Sequence, residues 1–378
     1  MNGKFIESCT HGSFAFCFVS VLHGIFQEVL MSCYHPLMGI PKGIDPKSGK
    51  MQYLIKPFPK GFQGDNNIDG IVTVPCGKCI GCRLDYSRQW ANRCMLEMQY
   101  HDEAWFVTLT YDQAHVPLSW YSDPATGEAY QAMTLKKRDF QLFMKRLRKA
   151  YEPQKIRYFA AGEYGDKKMR PHYHAILFGL HLDDLEIYTE HVGDFPYYTS
   201  KKLQRIWDSG LDNFGVMCYN DDSSKESITP LATRGMVIVA PVNWQTCAYV
   251  ARYVVKKQKG PASAVYRMHN IEPPFSLMSR KPGIGRQYYD DYPNLYDYQS
   301  INISTEEGGR KFRPPKYFDR LHLEDSPEDA EKLRDFRRFA ADQTKTAKLS
   351  QTDNEYLEML AVEERQQQAV LKSLERSL

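Results

Sequence analysis

The sequence predicts an α+β protein, and three observations carry that expectation. Short runs rich in β-branched and aromatic residues recur at 104–110, 157–162, 173–179 and 235–240. Two segments among them, 134–149 and 244–257, place apolar residues at helical spacing. Beyond residue 326 the chain is polar and helical in pattern, with no sustained apolar heptad. The chain divides accordingly into a possible upstream extension (1–30), a Cys-rich N-terminal segment (31–100), a mixed central region (101–260), a basic aromatic segment (261–320) and a helical C-terminal tail (321–378).

Taken in order, the first thirty residues read as an upstream extension of the reading frame, because Met31 opens a more ordinary sequence. The apolar run Phe14–Phe26 is broken by Ser20 and His23, is too short to span a bilayer and lacks a small-residue cleavage site. Neither a membrane anchor nor a signal peptide is expected. From Cys33 to Asp69, Gly, Pro, Lys and Asn without a sustained period predict a loop-dominated segment. Leu84–Tyr100 then reads as a helix leading into the strand Ala104–Thr110.

The helix over 134–149 is expected to be capped by Thr134, with Phe140, Phe143, Met144 and Leu147 as its apolar stripe. Lys136, Lys137, Arg138, Lys145, Arg146, Arg148 and Lys149 make its other face basic. The whole chain has 49 Lys and Arg against 46 Asp and Glu, a net charge of +3, so a DNA-facing signal must be local, as here. A solvated helix face is the plainer alternative. Residues 260–315 are aromatic, Gly/Pro-rich and basic, and irregular structure is expected, with Arg280, Lys281, Arg286, Arg310, Lys311 and Arg313 beside aromatics such as Tyr288 and Tyr289. Ser326-Pro327-Glu328 reads as a helix start.

Three motifs carry chemistry. In Arg170-Pro171-His172-Tyr173-His174, period-2 geometry puts both imidazoles on one strand face and Tyr173 on the other. Two convergent nitrogens suit a divalent ion that polarises a phosphate oxygen. Glu163, nine positions before His172, would join them across a hairpin as third ligand; ordinary strand histidines are the alternative. In Tyr249-Val250-Ala251-Arg252-Tyr253-Val254-Val255-Lys256, tyrosines at i and i+4 share one helix face with Lys256, a set able to supply a nucleophile and a nearby cation. A half-buried aromatic stripe is the alternative. Finally, Cys76-Gly77-Lys78-Cys79-Ile80-Gly81-Cys82 presents three thiols from one tight loop. Structural zinc is favoured over an iron–sulfur cluster or free thiols, with Cys33, His35 or Cys94 as fourth ligand and Cys33 the one taken forward. Nine cysteines, an odd number with three in one cluster, argue against a disulfide framework and for a reducing cytoplasm.

At these residues the chain resembles the replication initiation proteins of the Microviridae, small icosahedral single-stranded DNA phages, particularly gokushoviruses, which belong to the HUH endonuclease superfamily. Val74-Pro75-Cys76 through Arg83, Gly162-Glu163-Tyr164-Gly165 through Gly179, and Tyr249 through Lys257 carry the resemblance, with Phe106–Asp112 and Ser279–Gly285 as further similar blocks. It implies an HUH domain over 101–260: an antiparallel sheet, ferredoxin-like or RRM-like, with helices on one face. It implies His172 and His174 as ligands of Mg²⁺ or Mn²⁺, and no nucleotide cofactor. It further implies nicking of single-stranded and replicative-form DNA at the viral origin, Tyr249 or Tyr253 becoming joined to the 5′ phosphate, with rejoining of the displaced strand into a circle. The implied partners are the host helicase and polymerase, the implied place the cytoplasm of a bacterial host. Whether Lys256 or Lys257 reaches the site stays open. The competing readings are an HUH relaxase or transposase, and a zinc-stabilised single-stranded DNA-binding protein without catalysis.

Overall fold

The computed structural model describes residues 33–46, 49, 51–59, 70–165, 168–192, 195–209, 233–256, 263–298, 300–305 and 308–376, with side chains 252–256 left undescribed. Residues 1–30, the apolar run within them and Lys257 lie outside the described part. In chain order the elements are β1 (Leu37–Ile44), β2 (Met51–Pro57), β3 (Val72–Val74), α1 (Ile80–Met98), β4 (Ala104–Leu109), β5 (Leu118–Ser122), β6 (Ala129–Met133) and α2 (Lys137–Ala150). There follow β7 (Arg157–Tyr164), β8 (Pro171–Phe178), β9 (Leu185–Val192), β10 (Phe195–Ser200), α3 (Lys201–Asp208), β11 (Val237–Pro241), α4 (Trp244–Lys256), α5 (Ala264–Met268), β12 (Phe275–Met278) and α6 (Arg286–Asp291). The chain closes with β13 (Ile301–Thr305), β14 (Gly308–Phe312), α7 (Lys316–Asp325), α8 (Pro327–Leu349) and α9 (Tyr356–Arg376). Among the described residues no helix is long and apolar enough to cross a membrane.

Two compact units divide the chain: one comprises residues up to Asp85 together with Asn294 onward, the other Tyr86–Pro293. The second unit is built on a seven-stranded sheet in the order β12-β7-β8-β4-β11-β10-β9. Each neighbouring pair in it is antiparallel. Alternation along β8 sends Tyr173, Ala175 and Leu177 into a buried core with Val107 and Leu109 of β4 and Val237 and Val239 of β11. Phe140, Phe143, Met144 and Leu147 of α2, and Leu203 and Trp207 of α3, cover that face. The opposite face carries His172 and His174 and is covered by α1 and α4: Trp90 of α1 stacks on Phe159 of β7, ring centroids 4.5 Å apart, and Tyr249 of α4 meets Phe106 of β4 edge-on.

Several expectations are corrected. Helices cover both faces of the sheet, because β8 is apolar or aromatic on alternate residues in both directions and each side needs burial. Thr134 does not cap α2; the N-cap is Lys136, without a side-chain cap bond, and Thr134 Oγ1 instead accepts the Glu272 N–H at 2.9 Å. The basic helix packs on the Tyr173 face, so its charges do not border the histidines; Arg146 and Arg148 donate to the carbonyls of Ile206 and Ile156. The 33–69 segment is not loop-dominated but contains β1 and β2, which with β3 form a sheet in the order β2-β1-β3. Every residue of β2 is exposed, so no alternation of burial marks it in the sequence. Likewise 260–315 is not irregular throughout, since β12 extends the large sheet and β13 pairs with β14. Tyr288 there is buried, stacked on Tyr292.

Candidate functional site

The site grows out of the β7–β8 hairpin. Its register sets Glu163 directly opposite His172, and Ala161 opposite His174. On the other side of β8, Thr108 of β4 faces His174. Because the side-chain period of a strand is two, Glu163, His172, His174 and Thr108 all project to one face. One carboxylate oxygen of Glu163, Oε1, lies 2.7 Å from His172 Nε2 and 3.3 Å from His174 Nε2. Ligand atoms of all three residues lie within 4.8 Å of one another.

The hydrogen bonds around the trio fix its electronic state. His172 Nδ1 donates to the Arg170 carbonyl at 3.1 Å, which leaves the Nε2 lone pair directed at the carboxylate. Two lone-pair atoms at such a separation hold together only with a positive particle between them, a proton or a metal ion. His174 Nδ1 is engaged by Thr108 Oγ1 at 2.9 Å, so its Nε2 also turns toward Glu163. Burial alone raises the Glu163 carboxyl, but the bonds to His172 and His174 more than reverse this and hold it below its ordinary value. Its second oxygen, Oε2, is buried with no hydrogen-bond partner.

A divalent ion answers both features, supplying the positive charge and a partner for Oε2. An octahedral ion with bonds of about 2.0–2.1 Å brings neighbouring ligand atoms to about 2.9 Å, and the separations of 2.7 and 3.3 Å bracket that spacing. His172 is partly accessible whereas Glu163 and His174 are buried, so one side of the trio is open to a ligand.

Above this face runs α4. Its start is set by Asn243, whose Oδ1 accepts the Thr246 N–H at 2.8 Å while the Asn243 N–H donates to Thr246 Oγ1 at 2.9 Å, a reciprocal cap. Cys247, Ala248, Val250 and Ala251 are buried, and Ser87 of α1 donates to the Ala248 carbonyl. Tyr249 is left 38% exposed, its ring centroid 5.3 Å from that of His174. A phenol and a metal-competent trio therefore share one half-open surface. The helix backbone continues through Tyr253 and Lys256, whose side chains lie outside the described part. Thr108, Asn243 and the Arg170 carbonyl escaped sequence reading: none belongs to a motif, and each gains its role from a partner on another strand, a helix cap or a hairpin turn.

The cysteines gather separately, in the first unit. Sγ atoms of Cys33, Cys76, Cys79 and Cys82 lie within 4.8 Å of one another. The other two candidates for fourth partner are engaged elsewhere: His35 Nε2 lies 2.6 Å from a Glu364 carboxylate oxygen, and Cys94 is fully buried in the second unit.

Comparison with known proteins gives a consistent picture. The family model for replication-associated protein ORF2 matches residues 104–258, from β4 through α4. The chain is 32% identical over 324 residues to replication-associated protein ORF2 of Spiroplasma virus 4, covering 83% of this chain and 89% of that one. It is 30% identical over 261 residues to replication-associated protein VP4 of Bdellovibrio phage phiMH2K, covering 64% and 68%. A third relative, replication-associated protein ORF4 of Chlamydia phage 1, is 30% identical over 192 residues, 49% of this chain and 38% of the other. No solved structure matches.

Proposed function

The chain belongs to the replication-associated protein family of bacterial viruses, and on that premise we propose that it starts rolling-circle replication by nicking single-stranded origin DNA through a tyrosine. The observation that carries the proposal is the Tyr249 ring against His174, on the same sheet face as the Glu163–His172–His174 trio. A strand-binding protein has no use for a buried carboxylate oxygen beside two histidines and an exposed phenol.

Glu163, His172 and His174 would hold Mg²⁺ or Mn²⁺, which supplies Lewis-acid polarisation of the scissile phosphate. The Tyr249 oxygen attacks phosphorus; a P–O bond to tyrosine forms and the P–O3′ bond breaks. The proton leaving the phenol is balanced by the one gained on the released 3′ oxygen. The products are a 5′-phosphotyrosine and a free 3′ hydroxyl, so the energy of the phosphodiester is kept and no nucleotide cofactor is consumed. Thr108 and the Arg170 carbonyl hold the imidazoles so that both Nε2 atoms face the carboxylate. Tyr253, one helical turn on, would attack the regenerated origin while Tyr249 still holds the first end, and Lys256 would favour the phenolate. The free 3′ end suits host polymerase, with host helicase opening the duplex, in the cytoplasm of a bacterial host.

The test incubates the protein with an end-labelled single-stranded origin fragment and Mn²⁺ and resolves the products on a denaturing gel. Wild type is expected to give a nick and a covalent adduct, both lost when Tyr249→Phe and Tyr253→Phe are combined. Tight binding with neither nick nor adduct under any divalent metal overturns the proposal in favour of a binding protein.

A further inference from the structure

The four-cysteine cluster is not used by the nicking reaction, and the element it ends lacks an apolar core. In β1 only Gly39 is buried, all of β2 is exposed and all of β3 is half-buried. A sheet so thinly covered needs a staple, as small elements without a sufficient core generally do. Cys33 lies four residues before β1, and Cys76, Cys79 and Cys82 follow β3 and enter α1, so bringing them together closes the chain around the whole sheet.

We propose that Cys33, Cys76, Cys79 and Cys82 bind one zinc ion as a tetrathiolate, and that this ion holds β1–β3 to the start of α1. Zn–S bonds of about 2.3 Å in a tetrahedron put sulfurs about 3.8 Å apart, and Cys33 and Cys79 Sγ stand at 4.0 Å. The backbone already treats the sulfurs as anions. Cys76 N–H donates to Cys33 Sγ at 3.2 Å, Tyr34 N–H to Cys79 Sγ at 3.3 Å, Cys79 N–H to Cys76 Sγ at 3.3 Å and Cys82 N–H to Cys79 Sγ at 3.5 Å. The hydrogen bond from the Cys33 thiol, against the opposing effect of burial, brings Cys79 down to about 4, with the Cys82 and Tyr34 amides assisting. Gly77, at φ +66°, lets the loop between Cys76 and Cys79 turn tightly enough for the sulfurs to converge. Four sulfurs within 4.8 Å enclose a single ion and leave no room for a cluster of several iron atoms. Binding displaces the remaining thiol protons to solvent and leaves the zinc without an open position, so the ion is structural.

The inference stands apart from the nicking reading and its test keeps the two apart. The full chain is purified without chelator and its metals are quantified by mass spectrometry. One zinc per chain is expected, retained in His172→Ala/His174→Ala and in Cys82→His, which preserves a known zinc donor set, and lost in Cys79→Ser. Exchange with Co²⁺ is expected to give the thiolate-to-cobalt charge-transfer absorption of a tetrathiolate in wild type and in the histidine variant alike. If Cys79→Ser fails to fold, the wild-type stoichiometry and the cobalt spectrum decide alone. The proposal falls if the native chain holds under a tenth of an equivalent of zinc, if it holds iron instead, or if zinc leaves with the histidines and stays without the cysteines.

Discussion

Replacing Tyr173 with Phe tests whether the two faces of β8 do separate jobs. The Tyr173 hydroxyl donates to the Lys136 carbonyl at 2.9 Å, accepts the Lys136 N–H at 3.1 Å and lies 2.8 Å from the Tyr111 hydroxyl, which donates to Asp139 at 2.8 Å. Tyr173→Phe keeps the ring, 1% exposed in the core, and removes only these bonds. Three bonds at roughly 1 kcal/mol each set a ceiling of about 3 kcal/mol. The Lys136 carbonyl keeps the Asp139 N–H and Tyr111 keeps Asp139, so about 2 kcal/mol is expected. For a unit of this size that corresponds to a fall in Tm of about 4–8 °C, read by near-UV circular dichroism. Origin nicking at 20 °C should be unchanged, although Tyr173 sits between the two histidines in sequence. A variant that melts like wild type would show that the network contributes nothing, and one that folds but cannot nick would refute the assignment of Tyr173 to the non-catalytic face.

Other outcomes follow from the same geometry. Glu163→Gln keeps the shape of the side chain but removes the charge facing His172 and His174; half-saturation of nicking by Mn²⁺ should rise by about 100-fold or more, since changes one shell further out already cost about 10–100-fold, and an unchanged Mn²⁺ titration would dismiss it as a ligand. Glu97 is raised by burial but lowered further by His101, Arg157 and the Gly285 N–H, so its folded value lies below the unfolded one. Its contribution is therefore complete above about pH 4.3, the unfolded carboxyl's range, and is lost as pH falls through the lower folded value; Glu97→Gln should flatten that acid limb in urea unfolding series at pH 7, 5, 4 and 3. Gly235 has φ +154°, and a Cβ there would lie 2.2 Å from the Thr110 carbonyl oxygen, backbone that cannot swing aside. Gly235→Ala should cost more than about 3 kcal/mol, seen as loss of soluble protein or a Tm drop far larger than that of Tyr173→Phe; a normally melting variant would contradict the close approach.

The strands and helices best foretold were those whose residues answer to a single local demand. The runs at 104–110, 157–162 and 173–179 correspond to β4, β7 and β8, because these strands are buried and their apolar and β-branched content is strong. The stripe from Phe140 to Leu147 is buried as its spacing implied. What escaped prediction lacks such a signature. β2 is wholly exposed and half of the β5–β6 hairpin is, so burial imposes no alternation on them. Thr134 looks like a cap, yet its hydroxyl serves Glu272, 138 residues further along. A single strand's pattern likewise could not say that both of its faces would be covered by helices.

For the site itself, the sequence by itself determined which atoms are available: two imidazoles one face apart from Tyr173, a carboxylate within hairpin reach, a phenol pair one helical turn apart, and three thiols in a glycine-bearing loop. Those are consequences of period and chain geometry within a few residues. Only the tertiary structure decided that Tyr249, 75 residues from His174, lies against its ring, that Thr108 from a strand 66 residues away orients that imidazole, and that Cys33, not His35 or Cys94, completes the sulfur cluster. Local chain geometry limits which side chains can point the same way. Which distant segments then meet is set by the burial of whole sheet and helix faces, and no short stretch of sequence contains that information.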